Sequence, residues 1–82
     1  MYFLYLLKSE NYNRTYIGIS ADCEKRLKEH NRGKVRSTKF YRPYILIHRE
    51  DFLTKTEARK REIELKTNSN KKEILFKSSG LM

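Results

Sequence analysis

Tyr2-Phe3-Leu4-Tyr5-Leu6-Leu7, followed after the polar spacer Lys8 to Arg14 by Thr15-Tyr16-Ile17-Gly18-Ile19, is the stretch that decides the fold. The first run is continuous, apolar and aromatic, too short for a core helix and suited to a strand buried on both faces. The spacer carries Asn11 and Asn13 and makes the second run its antiparallel partner. Downstream, Ser20 is a good N-cap, and Asp22 and Glu24 put acid in the first turn of a helix over about 21–31, with Gly33 as its stop signal. A basic loop, Gly33 to Arg42, leads to Pro43, which opens a third strand from Tyr44 to His48, extending at most to Glu50. Thr54-Lys55-Thr56-Glu57 has capping-box spacing and starts a helix reaching about Lys66. Asn68-Ser69-Asn70 breaks that pattern and can cap a last helix over about 71–77, leaving 78–82 as a frayed tail. The order is β-β-α-β-α-α. An α/β (α+β) domain over 1–77, with helices flanking a three-stranded mixed sheet, buries these faces economically.

Composition bounds the function. Nineteen Lys and Arg against ten Asp and Glu give the 82-residue chain a net charge of +9, and polyanions are the natural partners of such a surface. Hydrophobic residues at 38% and aromatics at 12% supply a small core and argue against disorder. The one cysteine, Cys23, has no partner for a disulfide, and no Cys/His set exists for structural zinc. A reducing, cytoplasmic setting follows. The apolar start lacks a basic n-region and a cleavage site, and nothing approaches the ~18 apolar residues of a membrane span.

Helix periodicity isolates polar residues where a plain core would have none. Cys23, Arg26, Leu27 and His30 share one face of the first helix, and Ala58, Glu62 and Leu65 share one face of the second. A carboxylate on an apolar stripe needs a partner or a metal. Ordinary roles compete with functional ones here. Arg26 and Glu62 could pair across the helix–sheet interface, Glu62 could snorkel to water, and His30 could serve the helix dipole. Tyr5 and Tyr16 could be core residues with satisfied hydroxyls.

Phe3-Leu4-Tyr5 and, eleven residues on from tyrosine to tyrosine, Tyr16-Ile17-Gly18 resemble the two signature strands of the GIY-YIG nuclease family. Arg26 lies eight residues after Gly18 and His30 twelve after it, and Arg61-Glu62-Ile63-Glu64-Leu65-Lys66 resembles the family's helix bearing a metal-binding glutamate. The resemblance covers Tyr2 to about Phe76 and is nearest to the small stand-alone bacterial members. It implies a module that cuts phosphodiester bonds with a divalent metal, Mg²⁺ in first place and Mn²⁺ as a substitute. By position, Glu62 would bind the metal and Arg26 would stabilise charge on the scissile phosphate. Tyr5 would help to activate the attacking water, and Tyr16 and His30 would position it or relay its proton. Gly18 would permit a close approach of backbone or substrate.

Those roles make chemical sense. Hydrolysis of a phosphodiester needs a nucleophile, a neutralised phosphate and a stabilised leaving oxygen. Mg²⁺ commonly takes few carboxylates and keeps several waters. A tyrosine, with a pKa of about 10, is a poor base at pH 7 unless cations lower it. Three departures stand out: Phe3 and Leu4 replace the glycine and isoleucine of the family name, Ile19 replaces a basic residue found in some relatives, and no second histidine follows His30 before His48. His48 reads as structural, Glu57 as a cap and Glu64 as solvent-facing.

Lys34, Arg36, Lys39 and Arg42 on the loop, with Arg59 and Lys60 on the second helix, could form a phosphate track, and Phe40, Tyr41 and Tyr44 could stack on unpaired bases. They could equally be a solvated surface and the packing beneath a loop. No recognition helix or zinc finger is present, so target choice would rest on nucleic-acid shape or a targeting protein partner. The expectation is a metal-dependent endonuclease acting on DNA, branched, flapped or partly single-stranded, in repair or recombination. RNA stays open as a substrate. The alternative is a non-catalytic basic nucleic-acid-binding module on the same fold.

Overall fold

The computed structural model describes residues 1–78 of the chain. The elements are β1 (Tyr2–Ser9), β2 (Thr15–Ser20), α1 (Cys23–Asn31), a 3-10 turn (Lys39–Tyr41), β3 (Tyr44–Phe52), α2 (Lys55–Thr67) and α3 (Ser69–Ser78). The order is the expected β-β-α-β-α-α. The sheet runs β2-β1-β3 and both ladders are antiparallel, so it is not the mixed sheet expected. The reason lies in β1, whose Leu4, Tyr5, Leu6 and Leu7 are all buried. A strand apolar on both faces takes the centre, and β2 and β3, which run the same way, never become neighbours.

Alternation along β1 divides the core between two faces. Leu4 and Leu6 point to α2 and α3, where they meet Ile17, Leu65 and Phe76. Tyr5 and Leu7 point to the opposite face and meet Cys23 of α1 and Tyr44. The register sets Tyr5 opposite Gly18, and a bulge at Ile47 shifts β3 between its pairings of His48 with Leu6 and Leu46 with Leu7. Past His48 the charged run Arg49-Glu50-Asp51 looks unlike a strand, yet β3 continues to Phe52. The two faces explain it. Glu50 shares a face with Leu4 and binds Arg61 of α2 through two hydrogen bonds, at 2.9 and 3.2 Å, while the Arg49 guanidinium lies 4.8 Å from the centroid of the Phe3 ring.

Helix ends follow local chemistry. Asp22, not Ser20, caps α1: its carboxylate accepts from Lys25 N at 3.0 Å and sets an acid on the helix N-terminus. Ser20 instead accepts from Asp22 N at 3.0 Å, so α1 begins two residues later than expected. Gly33 ends the helix at φ +78°, and a Cβ there would sit 2.8 Å from Arg42 Nη1. Thr54 caps α2 by accepting from Glu57 N, as its spacing predicts, with the Glu57 carboxylate accepting from the Thr54 hydroxyl at 3.0 Å. Asn68 accepts from Lys71 N, so α3 starts at Ser69. Ser78 belongs to that helix rather than to the tail, and 79–82 lie outside the described residues.

His48, Glu50, Arg61, Glu64 and Lys71 form one chain of ion pairs across β3, α2 and α3. His48 meets Glu50 in this network, and Glu64 joins it while staying open to solvent, its side chain 43% exposed. Hydrogen bonds from Arg61 and His48 hold the Glu50 carboxyl below its usual range, even though burial pushes the other way.

Candidate active site

Four of the expected residues meet on the α1 face of the sheet. Tyr5 comes from the central strand, Tyr16 from β2, and Arg26 and His30 from successive turns of α1. The Tyr16 ring lies 4.8 Å from His30 and 6.2 Å from Tyr5, centroid to centroid. Gly18 makes this assembly possible. A Cβ at Gly18 would lie 2.5 Å from the Tyr5 hydroxyl and 2.6 Å from Cζ, so what approaches the second strand closely is the Tyr5 ring itself. Gly18→Ala should therefore destabilise the fold by about 1–3 kcal/mol through overpacking, and urea unfolding beside the wild type measures this. A variant as stable as the wild type would show that the ring can move at no cost.

A chain of hydrogen bonds runs inward from Tyr5. Its hydroxyl lies 3.1 Å from His30 Nε2, His30 Nδ1 lies 2.7 Å from Thr38 Oγ1, and Thr38 Oγ1 lies 3.3 Å from the Val35 carbonyl. The last link sets the proton order. A carbonyl only accepts, so the Thr38 hydroxyl donates to Val35 and must accept from His30 Nδ1–H. Nε2 then carries the lone pair, and the Tyr5 O–H donates to it. Thr38 and His30 are fully buried. Sequence reasoning missed Thr38 because nothing in Arg36-Ser37-Thr38-Lys39 marks a buried hydroxyl; only the return of the loop over α1 brings it to the ring.

Electrostatics keep this chain neutral at rest. Burial pushes Tyr5 up to about 12, with the Arg26 hydrogen bond opposing the rise. Burial and the nearby Arg26 charge push His30 down to about 4. Burial disfavours the Arg26 charge, but hydrogen bonds to Tyr5 and Glu29 more than offset it and hold that group up. Arg26 forms its ion pair with Glu29 at 3.1 Å. The pairing of Arg26 with Glu62 across the interface is thereby overturned, since α1 and α2 lie on opposite faces of the sheet. His30 is likewise buried and hydrogen-bonded between Tyr5 and Thr38 rather than turned to the helix end as a dipole partner.

Glu62 stands apart from the four. Its side chain is 13% exposed and bound by Lys66 at 3.2 Å and Arg59 at 3.7 Å. Lys66 Nζ, which also binds Glu62, lies 5.9 Å from the centroid of the Tyr16 ring. Spacing did not single out Lys66. Among the described residues no group of three or more His, Cys, Asp or Glu is assembled. Glu62 is the carboxylate that would hold a hard divalent cation, a role for which Mg²⁺ needs few protein carboxylates, and here it is paired with Lys66 and Arg59.

The basic residues fall into two groups. Lys34, Arg36 and Arg42 are exposed on the α1–β3 loop with Lys39 half-buried beside them, and Arg59 and Lys60 are exposed on α2. Arg42 Nη1 donates to the Lys39 carbonyl at 2.7 Å, and Arg59 is engaged with Glu62. No helix among the described residues is long and apolar enough to cross a membrane.

Comparison with known proteins agrees with this geometry. Residues 1–74 match the GIY-YIG catalytic domain. The chain is 40% identical over 80 residues to the UPF0213 protein SSP2268 of Staphylococcus saprophyticus, covering 96% of each chain. It is 36% identical over 74 residues to the UPF0213 protein SH2523 of Staphylococcus haemolyticus, covering 89% of each. The solution NMR structure of the UPF0213 protein BH0048 from Bacillus halodurans superposes with a TM-score of 0.56 at 29% identity, covering 94% of this chain and 82% of that one. With this match over nearly its whole length, and with Tyr5, Tyr16, Arg26 and His30 gathered on one face of the sheet, the chain belongs to the GIY-YIG family and is a relative of the small bacterial UPF0213 proteins.

Proposed function

We propose that this chain is a metal-dependent endonuclease of the cytoplasm, hydrolysing phosphodiester bonds in DNA chosen by structure, in repair or recombination. The observation that supports it best is the directed chain from Tyr5 through His30 to Thr38, with the Arg26 charge acting on both Tyr5 and His30. A merely structural tyrosine needs one partner. This one has an acceptor that can take its proton and a guanidinium that can hold a phosphate beside it.

At neutral pH Tyr5 is a protonated phenol and cannot act as a free phenolate base. It can accept a proton from an attacking water only while passing its own to His30 Nε2, and Nδ1–H, held by Thr38, keeps Nε2 ready for it. Arg26 opposes that transfer in the free protein by lowering the basicity of His30. A scissile phosphate on Arg26 offsets its charge, so substrate binding itself raises the proton affinity of His30. Tyr16 walls the imidazole on one side. Glu62 would hold the divalent metal, which supplies positive charge to the phosphate and the leaving oxygen.

The test is cleavage of labelled duplex, single-stranded, flapped and four-way-junction DNA, and of RNA, each with EDTA, Mg²⁺ or Mn²⁺. The expected result is cutting that requires metal and disappears in Glu62→Gln, a substitution that keeps shape and removes charge. Tight binding without cleavage under every condition, unchanged in the variant, would leave the chain a nucleic-acid-binding module.

A further inference from the structure

The three aromatics around the basic loop have different fates. Tyr44 is buried against α1, and Asn31 clamps its backbone with bonds of 2.7 and 3.0 Å. The Tyr41 ring packs edge-on against Tyr12 at 5.3 Å and under the Arg14 guanidinium at 4.6 Å. Phe40, between Lys39 and Tyr41, is 74% exposed.

The backbone beneath Phe40 is fastened on both sides. Thr38 N donates to the Val35 carbonyl, Tyr41 N to the Thr38 carbonyl, and the Tyr41 carbonyl accepts from Ser9 Oγ at 2.6 Å. Arg42 donates to the Lys39 carbonyl. A large apolar ring is thus held out to solvent on a stapled turn, two residues from the threonine that touches His30. Lys39 Nζ lies 5.1 Å from the centroid of the Phe40 ring, and Lys34, Arg36 and Arg42 are exposed on the same loop.

We propose that Phe40 is the platform on which an unpaired nucleobase stacks, with the loop cations holding the adjoining phosphates. This deepens the nuclease reading and rests on it for nucleic acid as the substrate, but the stacking can be tested by binding alone. Charge and a π-face together fit nucleic acid, because cations track the backbone while the ring takes a base of any identity. The face has to come from an unpaired nucleotide, since bases inside a duplex are already stacked on both sides. DNA and RNA single strands share that chemistry, and the experiment separates them.

Binding is measured in EDTA, so that no cleavage occurs, by anisotropy of a labelled single-stranded DNA, the matching RNA, and a blunt duplex of the same sequence. A 2-aminopurine in the single strands reports stacking through its quenching. The wild type should prefer the single strands, with quenching. Phe40→Ala should weaken single-strand binding about tenfold and abolish the quenching, within the range for one base on one ring, and should leave duplex binding unchanged. Phe40→Trp should restore both, whereas Phe40→Leu, apolar but without a π-face, should behave as alanine does. The side chain is exposed, so these variants should fold, as circular dichroism would check.

Equal affinity of Phe40→Ala and wild type for single strands overturns the proposal. So does full single-strand binding by Phe40→Leu, or a concentration-dependent dimer that Phe40→Ala abolishes. Phe40-dependent stacking without metal-dependent cleavage would remove the nuclease reading and keep the binding platform. Cleavage with Phe40-independent binding would do the reverse.

Discussion

Tyr5→Phe and Arg26→Ala should each lower the rate of phosphodiester cleavage by about 10²-fold or more, and the double variant should be little worse than the poorer single. Tyr5→Phe removes one oxygen from a fully buried ring and leaves the packing over Gly18 in place. In the proposed mechanism it deletes the hydroxyl that passes a proton from water to His30. Loss of one positioned donor to a developing oxyanion costs on the order of 10²–10³ in rate, the scale expected for Arg26. Because the Arg26 charge acts on Tyr5 and, after burial, on the basicity of His30, the proposed mechanism makes the two groups a unit, and units lose activity once rather than twice. Single-turnover rates on the preferred substrate at saturating metal would check this. Full multiplication of the two losses would mean that Arg26 and Tyr5 work independently, and an active Tyr5→Phe would remove the tyrosine from the proton path.

Acid should destabilise the protein by about 3 kcal/mol between pH 6.5 and pH 4, through His30 alone. The folded state holds His30 at about 4 against 6.5 in the unfolded chain. Above pH 6.5 neither state binds the proton. Between the two values only the unfolded chain does, so stability falls as pH falls, at about 1.36 kcal/mol per unit, and levels off below pH 4. That loss is a large share of the roughly 5–15 kcal/mol holding a small domain together. Urea unfolding at half-unit pH steps measures it. Thr38→Val should lower stability across the whole range by about 1–3 kcal/mol, because His30 Nδ1–H is left buried without an acceptor, and Thr38→Ser should restore most of that. His30→Gln should flatten the slope from pH 6.5 to 4. Below pH 4.5 a further decline should remain in every variant, since the depressed Glu50 carboxyl is stabilising only while ionised. A wild-type stability that is flat from 6.5 to 4 would mean that His30 can be protonated in place.

Sequence reasoning reached the catalytic candidates further than the contacts between them. Periodicity made Arg26 and His30 stand out as polar groups on an inward helix face, while Tyr5 and Tyr16 joined them only through the resemblance to the GIY-YIG signature strands. The pairing of Arg26 with Glu62 was a reasonable expectation for two polar groups on inward helix faces. It failed because both helices face inward from opposite sides of a sheet whose central strand, β1, separates them. Thr38 carried no signal, since a buried acceptor on a loop has neither period nor cap. Of three candidate stacking aromatics, spacing could not say which would be buried, and the loop's own anchoring left Phe40 outside.

Local pattern sufficed for the element order, the two-faced apolar strand, the Thr54 cap and the Gly33 stop, and for the inward-facing polar positions on the first two helices. Each of these depends on side-chain type and on neighbours within one or two turns. Tertiary structure alone decided that the sheet is antiparallel throughout, that the Tyr5 ring lies across Gly18, and that Thr38 sets the protonation of His30. It also set Lys66 near the Tyr16 ring and tied Glu64 to Arg61 and Lys71. These depend on strand neighbours and on where a loop returns, which the burial of the whole chain decides and no local pattern encodes.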